Sequence, residues 1–284
     1  MIKTDRKGPF CLVAASLFWS LGGVCIKLIP WGATSIIGLR ACLAAMVFAI
    51  YRKKLKIDLT FGNCAGALFL SGTTISFVFA NQLTTAAAAI LLQFTAPAFI
   101  LLYQFVLYRK KPKPGEVLAV ACTIAGMMLF FGDNIGEGRL LGNLVAIGSG
   151  MCFAGVFVCN KRPDTDPDQS IMLGFYINAV LFAPFALFDQ RITAALLPWG
   201  LIILLGVVQV GLAYVLFAVG IKRTPALLAC LITALEPVLN PVLVAFVTPE
   251  RPGRFAIIGG VIIVATIVTY NIWAERRTSP ANVQ

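Results

Sequence analysis

Three ionisable side chains, Lys27, Arg40 and Glu236, stand inside long apolar runs, away from the other Lys, Arg, Asp and Glu residues of the chain. A charge is rare inside hydrocarbon because it must face protein, water or a solute, so each of the three is a candidate for handling a polar molecule. Glu236 is the most informative. Spacings of three, four and seven put it on one face of a continuous helix with Thr233 and Asn240. Pro237 and Pro241 free backbone carbonyls beside that face, which is tolerable only against protein or a cavity. A carboxyl group so placed is suited to carrying a proton or anchoring an ammonium group; the competing use is a structural acid satisfied by Arg40. Arg40 itself keeps its charge and fits either a solute carboxylate or phosphate, or that same pairing. Lys27 is near enough to a helix end to snorkel.

Other side chains extend the set. Gln93 aligns with Thr233 of the second half and shares its face with Ala86 and Ala89, which either pack closely or leave room for a solute. Asn81, Gln209 and Tyr214 are further candidates for lining a path, and Trp19 is a candidate for stacking on an aromatic solute. Pro97 and Pro237 are candidate helix breaks, with Pro241 a third.

Several chemistries are excluded by what is missing. The chain has no histidine, so imidazole metal sites and His-dependent triads are absent. Its eight cysteines form no Cys-x-x-Cys pair and read as small packing residues, so neither a metal nor a disulfide framework is expected. No Gly-x-x-x-x-Gly-Lys-[Ser/Thr] loop is present, and no cofactor is implied. Asp164, Asp166 and Asp168 occur in a proline-punctuated turn with no evident partners, so an integral-membrane enzyme has no visible catalytic cluster. A sensor or scaffold would need an output domain, and no segment between the apolar runs is long enough for one.

The elements that must position these residues are transmembrane helices. Hydrophobic residues make up 59% of the 284 positions and charged residues 12%, with a mean hydropathy of +0.90. A water-soluble fold could not hide that much apolar surface, so the lipid bilayer is the implied partner. Apolar stretches of spanning length fall near 10–29, 32–51, 64–82, 85–107, 114–132, 139–160, 170–188, 198–219, 225–247 and 255–273. The first of these, behind a charged N-terminus, is read as a retained span rather than a cleaved signal. The net charge of +11 sits in short clusters between the runs, which is a topology signal and not a nucleic-acid footprint. With a cytoplasmic N-terminus, 17 Lys and Arg fall in the inner segments and 4 in the outer ones, so both termini are expected in the cytoplasm.

The halves also resemble one another. Thr84, Ala86, Ala89 and Pro97 match Thr224, Ala226, Ala229 and Pro237 without a gap, and Ser16 and Gly22 match Ser149 and Gly155 more weakly. Five spans per repeat is an odd number, so the second copy must run through the membrane inverted. The expected architecture is an all-α integral membrane protein of ten transmembrane helices in two inverted five-helix repeats, 1–133 and 134–284.

These residues carry a resemblance. The order of Phe18-Trp19, Arg40 and ANQLTTAAAAILLQFTAPAF in the first half, and of AYVLFAVGIKRTPALLACLITALEPVLNPVL with Glu236-Pro237, Glu250-Arg251, Gly259 and Gly260 in the second, is similar to EamA-type two-repeat members of the drug/metabolite transporter superfamily. The likeness covers about 10–273 and departs from the pattern where Lys110 takes the acidic position matched by Glu250. It implies ten helices around a central cavity that serves efflux of amino acids, metabolites or drugs in a cell membrane. The chain is therefore expected to be a secondary transporter and not an enzyme, moving a small-molecule solute, with a proton as candidate coupling ion. Phosphorylated metabolites or nucleotide sugars are the rival solutes, favoured if Arg40 and Lys27 face the cavity. No motif specifies direction, coupling ion or oligomeric state.

Overall fold

The computed structural model describes residues 7–131, 140–239 and 254–278. Within them the chain is helical, with no strand. The order is α1 (Lys7–Trp19), α2 (Gly22–Leu28), α3 (Ala33–Arg52), α4 (Phe61–Leu83), α5 (Ala86–Gln93), α6 (Ala96–Tyr108) and α7 (Pro114–Phe131). The second half runs α8 (Leu140–Cys159), α9 (Pro167–Phe182), a 3-10 turn (Ala183–Leu187), α10 (Leu196–Ile203), a π segment (Leu204–Leu212), α11 (Ala213–Arg223), α12 (Ala226–Thr233), α13 (235–239) and α14 (Arg254–Thr278). Seven helical stretches are long and apolar enough to cross a membrane, and Lys7–Trp19, Pro114–Leu129 and Ala226–Leu239 are shorter apolar helices.

Several helix starts follow from local chemistry. Thr60 and Thr85 accept hydrogen bonds from Asn63 N and Ala88 N, both at 3.1 Å, and so cap α4 and α5. Asp166 caps α9 through Asp168 N, with Pro167 in the first turn where its missing N–H is harmless.

The first, fourth and ninth apolar runs are each broken, the last two beside the candidate breaks Pro97 and Pro237. The breaks fall at Ser20–Leu21, at Phe94–Thr95 and at Ala234. Proline explains the last two: its ring collides with the carbonyl four residues earlier, which is Gln93 for Pro97 and Thr233 for Pro237. The alignment that sets Thr84 on Thr224 also sets Phe94 on Ala234, so the two halves break at the same point and α5 corresponds to α12 throughout. The hydroxyls beside each break bond back onto the preceding turn. Thr95 Oγ1 donates to Leu92 O at 2.6 Å, Thr233 Oγ1 to Cys230 O at 2.7 Å. Gly150 of α8 lies against the first break so closely that a Cβ there would stand 2.6 Å from Gln93 O.

Packing repeats the same correspondence. α4 packs on α8 as α11 packs on α1; α4 meets α9 as the π segment meets α3; α5 meets α8 as α12 meets α1. α3 with α9 and α7 with α14 are their own counterparts under the exchange. Near the centre, Trp19, Phe153, Phe157, Phe217 and Tyr214 form a tilted and edge-on aromatic slab, with ring centroids 4.8–6.1 Å apart between Trp19 and its neighbours and within the Phe153–Phe157 pair. Phe175 of α9 and Phe48 of α3 continue the slab.

Both ends of the bundle are tied across the halves. At the basic end Asp164 accepts from Gly62 N at 3.0 Å and pairs with Arg162 at 2.9 Å, while Lys222 reaches Asp166 at 3.1 Å and Asp168 at 2.6 Å. The three aspartates therefore do have partners, contrary to the sequence-based expectation: Arg162 is local, while Gly62 at the start of α4 and Lys222 at the end of α11 are remote in sequence. Arg162 holds the Asp164 carboxyl below its ordinary range. Burial works against charge on Asp166, but Lys222 outweighs it and the net shift is downward. At the opposite end Asp189 accepts from Gly32 N and Ser35 Oγ, both at 2.7 Å, and from Arg191 Nε at 2.9 Å, placing a carboxylate on the N-terminus of α3.

Burial alone would push the Asp189 carboxyl up, yet these donors hold it well below the usual carboxylate range. A depressed folded value stabilises the fold above the unfolded value near 3.9, and that stabilisation is lost as pH falls through the folded value. Asp189→Asn should cost about 2 kcal/mol at neutral pH. In thermal unfolding of the detergent-solubilised protein, the gap between wild type and variant should close as the medium is acidified below about pH 4; a gap unchanged with pH would refute the capping role.

Candidate functional site

A cavity lies where the aromatic slab meets the helix breaks. Its charged and polar wall comprises Arg40 from α3, Thr73 and Thr74 from α4, Gln93 at the end of α5, Gln209 from the π segment and Glu236 from α13. Trp19, Phe77, Phe153, Val210 and Tyr214 supply the apolar remainder. The room open to the centre of a water-sized sphere is about 40 Å³. One water needs on the order of 10–15 Å³ by that measure, so this conformation holds a few waters and no metabolite.

The central turn of α4 organises the wall. Arg40 Nη2 donates to Thr74 O at 3.1 Å, Ser149 Oγ to Thr73 O at 3.1 Å, and Gln93 Nε2 to Ser149 Oγ at 2.9 Å. Asn178 Nδ2 donates to Thr74 Oγ1 at 2.6 Å, and Ser71 Oγ donates to Asn178 Oδ1. Four other elements, α3, α5, α8 and α9, are thus fastened to one turn of α4.

Arg40 and Glu236 are both buried and both face the cavity, yet no ion pair joins them among the described residues. The expectation that Arg40 merely neutralises Glu236 is therefore not met: the guanidinium rests on a backbone carbonyl instead. Two more groups are left open. Trp19 Nε1, a donor, and Gln209 Oε1, an acceptor, are buried with no hydrogen-bond partner. Gln209 Nε2 donates to Trp19 O at 3.4 Å, a carbonyl that the break after α1 frees.

Of the sequence-derived candidates, Trp19, Arg40, Gln93, Gln209, Tyr214 and Glu236 come together on this wall. Thr233 and Asn81 do not. The break at Ala234 ends the continuous face that would have joined Thr233 to Glu236, and Thr233 turns its hydroxyl onto its own helix. Asn81 is buried with its amide bonded to Phe77 O at 3.0 Å. Pro97 and Pro237 act through the backbone, as breaks. Asn240 and Pro241 lie outside the described residues, as does the side chain of Lys27. Thr73, Thr74, Phe77, Phe153 and Val210 were not anticipated. Three hydroxyls in four residues at Ser71–Thr74 were the available signal for the first two, whereas the apolar three look like any core residue.

A bundle of long apolar helices enclosing a small, charge-bearing cavity is the architecture of a multi-pass membrane transporter. The EamA-like transporter family matches residues 6–132 and again 140–272, and the chain belongs to that family. It is 27% identical to the uncharacterized transporter YwfM of Bacillus subtilis strain 168, over 85% of each chain. It is 26% identical to an uncharacterized transporter of Archaeoglobus fulgidus, over 95% of this chain and 97% of the other. A solved crystal structure shares the fold with a TM-score of 0.75 at 20% identity, covering 96% of this chain and 99% of that one.

Gly22 makes room for the Gln209 amide: a Cβ there would stand 2.5 Å from Nε2 and 3.0 Å from Cδ. Gly22→Ala should cost about 1–3 kcal/mol by overpacking in the wild-type background and less than about 0.5 kcal/mol in Gln209→Ala. Melting temperatures of the four proteins in detergent test this, and simple additivity would sink the proposed contact.

Proposed function

We propose that this transporter exports small amphipathic metabolites, amino acids foremost, by alternating access across the cell membrane. The observation that carries the reading is one cavity holding the Arg40 guanidinium and the Glu236 carboxyl with no ion pair between them among the described residues. An α-amino acid supplies the complementary pair, its carboxylate towards the guanidinium and its ammonium towards Glu236, with Trp19 and Phe77 as apolar walls. A doubly charged phosphate finds a poorer match, because Arg40 is the one cation on the described wall and a carboxyl stands beside it.

The small volume supports alternating access, since a metabolite fits only after the halves move apart. The matching breaks and packing pairs of the halves support ten spans in two inverted repeats, 1–133 and 134–284. The clustering of Lys and Arg at the interlocked end supports cytoplasmic termini. Glu236 is the group able to take up and release a proton within that cavity.

Cells overexpressing the chain should release amino acids in excess of empty-vector controls, read by metabolite profiling of the medium. In liposomes, Arg40→Gln should lower uptake of the identified solute at least about ten-fold, the loss of one charge-assisted contact. Glu236→Gln should remove the response to an imposed pH gradient. Normal transport by Glu236→Gln that still follows the gradient would overturn proton carriage by this residue.

A further inference from the structure

A second cavity, separate from the central one, opens at the basic end between the ends of α6 and α8 and the start of α12. It measures about 430 Å³, and its polar lining is Gln104, Tyr108, Lys110, Lys161 and Arg162, with no acidic side chain among the lining residues. The chain turns back sharply to form it. Arg109 ends α6 in the left-handed region, with φ 54°, and Lys110 N bonds Gln104 O at 3.1 Å. Further cations, Lys111 and Lys113, follow in the same loop.

The charge of this cavity is only partly compensated. Arg162 is engaged by Asp164 and lies 5.1 Å from the centre of the Phe61 ring. Lys161 has no carboxylate partner among the described residues; its ammonium donates to the backbone carbonyl of Ile221. Burial pushes that ammonium down to about 8, as expected where no counter-charge is near. Lys110 is exposed at the rim. Beside the cavity, Leu102, Phe105 and Val106 present an exposed apolar strip along α6, the surface that acyl chains would cover.

We infer that this cavity seats the phosphate headgroup of an anionic phospholipid, with Lys110 and Lys161 as its ligands and the α6 strip against its acyl chains. A free phosphate would use the same cations but would leave the strip unused, and the adjoining strip is the reason to favour a lipid. Basic recesses between helices at the membrane surface suit such headgroups, each cation adding about a five-fold gain in binding. The inference is independent of which solute the central cavity carries.

Native mass spectrometry of the full chain from neutral detergent, titrated with phosphatidylglycerol, phosphatidylcholine or inorganic phosphate, tests it. Wild type should hold one phosphatidylglycerol in clear preference to phosphatidylcholine. Lys110→Gln should weaken that binding about five-fold and Lys110→Gln with Lys161→Gln about twenty-five-fold, while Lys54→Gln, a charge loss at the same end outside the cavity, should leave it within two-fold. Should the double variant fail to fold without its bond to Ile221, the exposed Lys110→Gln still decides. Equal losses from Lys110→Gln and Lys54→Gln would reduce the effect to diffuse attraction and overturn the site. Inorganic phosphate binding as tightly as the lipid would overturn the lipid assignment.

Discussion

Hydrocarbon offers no hydrogen bonds, and that single constraint shapes this bundle. A proline inside a spanning segment frees carbonyls that water would normally satisfy. Here Pro97 and Pro237 do so at matching places in the two halves. Thr95 and Thr233 fold their hydroxyls back onto the preceding turn, and α8 brings a glycine against the first break, so that its backbone approaches where a side chain could not. The breaks can exist because they are enclosed, and enclosing them places the two discontinuous segments, α5–α6 and α12–α13, beside the cavity.

The cavity wall follows from the same rule. Arg40 is permanently charged, so it needs either a counter-ion or a set of dipoles. The turn of α4 at Thr73–Thr74 offers carbonyls that the threonine hydroxyls, bonded elsewhere, leave accessible. Fastening α3, α5, α8 and α9 to that turn fixes the guanidinium, with no ion pair to Glu236 among the described residues. The halves are not equivalent at this point. The break after α1 has no counterpart in α8, and the π segment has none in α4. Both irregularities converge on Gln209 and Trp19, which gives a pseudo-symmetric frame an asymmetric lining.

Much of this was legible from residue order. Length and placement of the apolar runs gave the helices to within a few residues, because hydropathy reports directly on a lipid environment. Arg40, Glu236, Gln209 and Gln93 stood out because polar groups are costly inside such runs. What escaped were facing relations across a break: the Thr233–Glu236–Asn240 stripe presumes an unbroken helix, which Pro237 itself prevents. Threonine also carries a weak signal, since its hydroxyl can bond its own helix, as Thr73 does with Phe69 O at 2.7 Å. Apart from Arg162, two residues from Asp164, the partners of Asp164, Asp166 and Asp168 were invisible because they arrive from elements about a hundred residues earlier and some fifty later.

The aromatic slab has an electrical consequence. Trp19 and Phe153 line the central chamber and pack ring against ring on Phe157 and Phe217, all four buried, so aromatic surface backs that side of it. Such a wall offers a hydrated ion no replacement for its shell and a bare one only low-dielectric surroundings, so it opposes leakage that would run down the gradients stored across an energised bilayer.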